Sequence, residues 1–164
     1  MDDHGTQENT GIVLQVQPVT AVIGPLGFHG YASEFLRAAH AFETDRRFSP
    51  VPYYLVCRSL ELVLKAYLLG RGVGIKTLKR RVGHNLVKAL GRARALGIDG
   101  FVAITKEHER EFQLANGYYE SKGFEYFNVH DAAGGYKNLP DLSVLEDVSS
   151  NLIESLESFC LEVT

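Results

Sequence analysis

The sequence predicts an all-α protein: an antiparallel bundle of about five helices behind a short N-terminal extended arm. Three observations predict it. The stretch Val51–Leu69 is apolar nearly all round, interrupted only by Arg58, Glu61 and Lys65 at helical spacing, as suits the central helix of a bundle. Near the C-terminus Leu145, Val148, Leu152, Leu156, Phe159 and Val163 recur every three or four residues, a sustained packing seam. Between these two, Gly and Pro clusters cut the chain into helix-length pieces.

Taken in order, residues 1–25 are expected to form a flexible tail and extended arm, with residues 26–164 as one helical domain. Ile12–Val22 is β-branched and partly alternating, but Pro18 limits it to an edge strand or an extended arm. A first helix is expected from about Tyr31 to Asp45, with Phe35, Leu36, Ala39 and Phe42 on one face. Ser49-Pro50 and Pro52 mark the start of the second, about Pro52 to Gly70. Its three charged residues are expected to form a narrow polar stripe, with Glu61 and Lys65 in the favourable i, i+4 order.

Gly70, Gly72 and Gly74 then open a basic loop. A third helix, about Asn85 to Leu96, turns Leu86, Leu90, Ala93 and Leu96 inward and stops at Gly97. Thr105 caps a fourth helix that runs to roughly Tyr119. The aromatic segment with Tyr118, Tyr119, Phe124, Tyr126 and Phe127 reads as packing rather than base stacking, and a loop with Gly134-Gly135 follows. Pro140-Asp141 opens the last helix.

At 164 residues, 45% apolar and 23% charged, the chain suits one ordinary globular core. Cys57 and Cys160 lie in helical apolar patterns with no CxxC or zinc spacing, so they read as reduced core thiols. No cofactor or metal is expected; His108, between Glu107 and Glu111, has no second histidine. The acidic, polar start lacks the features of a signal peptide, and no apolar run reaches the ~20 residues of a membrane helix. A cytoplasmic protein with no membrane partner is the expectation.

The net charge of −3 conceals a segregation. Arg71, Lys76, Lys79, Arg80, Arg81, Lys88, Arg92 and Arg94 fall in a stretch with no acid, leaving nine basic residues elsewhere against all 20 acidic ones. Such a block is either a solvated face, a partner for the acidic last helix in cis or across a dimer, or a contact for nucleic acid or nucleotide.

"PYYLVCRSLELVLKAYLLGRG", then the basic loop, "GHNLVKAL" and "ARALGI" together resemble the HEPN (higher eukaryotes and prokaryotes nucleotide-binding) domains, over roughly residues 28–163 and most sharply over 53–97. The resemblance implies a compact helical bundle that forms homodimers. It also implies a setting in toxin–antitoxin or phage-defence systems, with a nucleotidyltransferase-type protein as partner. Its active members are metal-independent ribonucleases carrying Arg-x4–6-His; arginine holds the phosphate and histidine moves protons for attack by a ribose 2′-hydroxyl.

That signature is absent. None of His4, His29, His40, His84, His108 and His130 has an arginine five to seven positions before it; Arg37 precedes His40 too closely, and Lys79 stands where an arginine would precede His84. The expected function is therefore a non-catalytic module that binds RNA or nucleotide through a basic helix entrance: Lys79, Arg80, Arg81, His84, Asn85 and Lys88, with Arg58 nearby. His84-Asn85 has a plainer reading as a helix cap, and a sharper one as a phosphate site at the helix N-terminus. Two rivals remain open. One is a divergent ribonuclease toxin that pairs arginine and histidine from separate helices, for instance Arg58 or Arg37 with His84 or His40. The other is a pure protein–protein interaction module.

Overall fold

The computed structural model describes residues 24–126 and 135–164 and is an all-α bundle. The expected arm over Ile12–Val22, together with Phe127, His130 and Gly134, lies outside the described residues. Five helices of ten residues or more occur among the described residues: α1 Pro25–His40, α2 Val51–Gly70, α4 Leu86–Ala95, α5 Lys106–Glu120 and α6 Leu142–Glu162. A short α3, Ile75–Thr77, runs into a π-helical turn, Leu78–Val82. None of these helices is long and apolar enough to cross a membrane.

Helix α2 is the axle of the bundle. From Val56 to Leu68 all its residues but Arg58 are buried, and α1, α4, α5 and α6 all pack against it. Ser59 shows how tightly: its hydroxyl lies 2.7 Å from the Ala32 carbonyl of α1 and 2.9 Å from the Ser149 hydroxyl of α6. Gly70 sets the close approach of α6 at the far end. A Cβ there would lie 2.6 Å from the Phe159 ring and 2.9 Å from a Val163 methyl, so only glycine lets the two helices meet. Cys57 and Cys160 are buried free thiols on α2 and α6. Burial pushes Cys57 far up from the ordinary thiol range and Cys160 up to about 11, so both are inert.

Three sequence expectations need correction. The first helix begins six residues earlier than the Tyr31 start expected from its apolar face and ends at His40, because Pro25 supplies the first-turn proline and His29 joins the buried face. The basic loop is largely helical: Leu78 and Val82 are buried anchors one π turn apart, which the glycines around them hid. Leu96 is exposed rather than inward, since α4 ends at Ala95 and the chain turns toward Gly97. The remaining boundaries hold within a residue. Thr105 and Asp141 cap α5 and α6 as their sequences predict, and the His108 ring completes a capping box with Thr105.

Candidate functional site

The polar stripe of α2 does not face water. Glu61 is 1% and Lys65 9% exposed, and both lie under the segment that leads into α4. A carboxylate cannot be buried unpaired without a cost of several kcal/mol, and Glu61 is paired on both oxygens. Lys65 donates to Oε1 at 2.5 Å, one helical turn on. Oε2 accepts from Arg58 Nη1 at 3.1 Å, from the Tyr119 hydroxyl of α5, and lies 3.1 Å from His84 Nδ1. One side chain thus ties α2 to α5 and to the head of α4.

Burial alone would raise the Glu61 carboxyl. The Lys65 charge and hydrogen bonds from Lys65, Tyr119 and His84 outweigh it and hold the group below the ordinary carboxylate range. Burial and the Glu61 charge push the Tyr119 hydroxyl well up, so it stays a donor. For Arg58, burial works against the charge, but Glu61 and Tyr119 prevail and raise the guanidinium further.

The backbone that delivers His84 is specific. Gly83 follows the π turn at φ +59° and ψ −129°, a conformation that side chains disfavour, and this swings His84 back over α2. Its ring also meets Tyr119 edge-on at 6.4 Å between centroids. Asn85 then caps α4, its Oδ1 accepting the Lys88 N–H at 2.7 Å, while its Nδ2 donates to Glu120 at 2.6 Å. Asn116 of α5 accepts the Leu86 N–H at 2.7 Å. Two amides at the start of α4 are therefore already satisfied by side chains, which favours the capping reading of Asn85 over a bare helix-terminus phosphate site.

Above Glu61 opens a cleft of about 250 Å³, lined by Tyr54, Arg58, His84, Tyr119, Glu120, Lys122 and Glu125. Of the sequence-predicted residues, Arg58 and His84 meet here. Lys79, Arg80, Arg81 and Lys88 are exposed, with no carboxylate partner among the described residues. They stay beside His84 along the chain without lining the cleft. The ends of the basic block are otherwise engaged. Arg71 lies over the rings of Tyr67, Phe101 and Phe159, and Arg94 pairs with Asp99 and Glu109. Among the described residues no ion pair joins the block to α6, so its acids do not neutralise it in cis.

Neither Arg37 nor His40, the other arginine and histidine considered for such a pair, joins the site, and nor does His29. His29 is buried, its Nε2 2.7 Å from the Ile153 carbonyl of α6, and Arg37 and His40 are exposed in the last turn of α1. Sequence reading missed Tyr119, assigned to packing, and the acidic wall formed by Glu120 and Glu125. The available signal was the Arg58–Glu61–Lys65 set itself: a carboxylate on the nearly all-apolar central helix calls for further partners from neighbouring elements.

Fold and site together define a helical bundle with a polar cleft organised by a buried carboxylate. In comparisons with known proteins, no family model, no curated protein and no solved structure matches the chain.

Proposed function

We propose that this chain is a non-catalytic, HEPN-like module that binds RNA or nucleotide at the head of α4. Arg58 and His84 would take a phosphate in the cleft, and Lys79, Arg80, Arg81 and Lys88 would hold the flanking chain. The observation that carries this reading is a run of exposed cations without carboxylate partners among the described residues, next to a cleft that holds both an arginine and a histidine. Glu61 and Lys65 of "ELVLKA" and His84 of "GHNL", apart in sequence, sit in one hydrogen-bonded cluster at that cleft. The resemblance to HEPN domains would further imply a homodimeric state and a nucleotidyltransferase-type partner in a defence or toxin–antitoxin setting.

Charge reversal tests the reading, since Arg80 and Arg81 are exposed and have no carboxylate partner among the described residues. The Arg80→Glu, Arg81→Glu variant should fold normally and lose retention of single-stranded RNA on a filter. Loss of two phosphate contacts should flatten the slope of log affinity against log salt by about 1.4. Unchanged retention would sink the idea.

A second reading, a divergent ribonuclease, is favoured by one observation: Arg58 and His84 share the cleft although no Arg-x4–6-His signature exists. RNA cleavage, or toxicity on expression, that His84→Ala removes would support it. A harmless protein that leaves RNA intact would exclude it.

A further inference from the structure

Glu61 fixes more than the position of His84. Lys65 and Arg58 lie within hydrogen-bond distance of its oxygens, so the carboxylate is ionised and can only accept. The ring nitrogen that faces it, Nδ1, must then carry a hydrogen. In a neutral imidazole this leaves Nε2, on the opposite edge, as a bare lone pair without a partner among the described residues. The His84 side chain is 64% exposed and lines the cleft. A bare lone pair repels the oxygen of an anion, and Nε2 can hold one only after gaining a proton.

We propose that the cleft captures the terminal phosphate of a phosphomonoester, and that His84 takes up one proton on Nε2 as it does so, with Glu61 as the positioning residue. The inference deepens the anion-binding reading above and rests on it. A terminal phosphate offers two charges and three free oxygens, enough to engage Arg58 and a protonated His84 together. The cleft volume lies below the range of about 300–1,000 Å³ typical of drug-sized ligands, which suits one small group rather than a strand. The charges around His84 are nearly balanced. On the wall Arg58 and Lys122 stand against Glu120 and Glu125, with Arg80 and Arg81 on the His84 segment outside the cleft. Lys65 is spent on Glu61, and Tyr54 and Tyr119 are neutral. Two incoming negative charges tip such a balance toward the imidazolium.

Calorimetric titration of the whole protein tests this in buffers of different ionisation enthalpy. The probes are sulfate, a dianion whose charge does not change with pH, and adenosine 5′-monophosphate. Binding should take up a proton, and sulfate affinity should fall as pH rises. Nitrogen-15 NMR of the free protein should show hydrogen on His84 Nδ1. That signature should move toward the Nε2–H form in Glu61→Gln, Lys65→Met, which removes the buried cation along with its carboxylate. Anion binding without proton uptake, or a tautomer indifferent to Glu61, overturns the inference and leaves the RNA-binding reading standing. Failure of sulfate and the monophosphate to bind while RNA is retained overturns the inference alone. Failure of all three ligands overturns both.

Discussion

Glu61→Leu is expected to destabilise the bundle by about 3–5 kcal/mol, as removing one member of a buried ion pair does. Lys65, 9% exposed, would lose its only side-chain hydrogen-bond partner among the described residues, and the Tyr119 hydroxyl would lose its acceptor. Against a domain stability of roughly 5–15 kcal/mol this is a large fraction, visible as a shifted urea midpoint. Glu61→Leu with Lys65→Met should recover most of the loss, because a buried pair replaced by apolar groups of similar volume is often neutral. A double variant as unstable as the single one would show that the pair is not the source of the loss. The same carboxylate sets the acid limit. Its folded pKa lies below the ordinary value, so its contribution is full above the ordinary carboxylate range and is lost as pH falls through the folded value. Acid unfolding of the Glu61→Leu, Lys65→Met double variant should accordingly depend less on pH in that window than that of the wild type.

Tyr67→Ala should cost a similar amount, about 3–5 kcal/mol, through a different mechanism. Tyr67 is fully buried, packs against Phe101 and Phe159 at 5.7 and 5.3 Å between centroids, and lies beneath the Arg71 guanidinium. Its hydroxyl donates to the Leu96 carbonyl at 2.6 Å and accepts from Arg71 Nε at 3.0 Å. Truncation therefore leaves a ring-sized cavity and releases the C-terminal end of α4. Tyr67→Phe separates the two effects and should cost only about 1 kcal/mol, the share of the hydroxyl. Equal losses for the two variants would put the whole effect on the hydrogen bonds.

The two substitutions act at opposite ends of one arrangement. α2 holds the head of α4 through Glu61 and His84, and its tail through Tyr67 and Leu96. α5 holds it in the reverse order, with Asn116 and Glu120 at the head and Glu109 at the tail. The short helix that carries the candidate site is thus fixed by side chains rather than by its own length. An isolated helix of ten residues would be marginal in water.

Much of this was legible in the sequence because local chemistry determined it. The apolar circumference of α2, the caps at Asn85, Thr105 and Asp141, and the seam of α6 each depend on neighbours a few residues away. The polar cluster was legible only in part. Arg58, Glu61 and Lys65 share a helix face, but nothing local indicates that His84 and Tyr119 complete it, since those contacts span 23 and 58 residues. The π turn at Leu78–Val82 escaped for a related reason: its two buried anchors sit among cations and glycines, so periodicity was masked by composition. The basic block reads in sequence as one unit, whereas the structure divides it. Arg71 and Arg94 serve packing and pairing, and Lys79, Arg80, Arg81 and Lys88 are left in solvent.

Amide chemical-shift mapping during titration with a short single-stranded RNA tests the central claim most directly. Perturbations should concentrate on residues 79–88 and on the cleft around Arg58, Tyr119 and Lys122, weakening as salt is raised. Perturbations centred on α6 or α1, or none at RNA concentrations well above those of the protein, would contradict it.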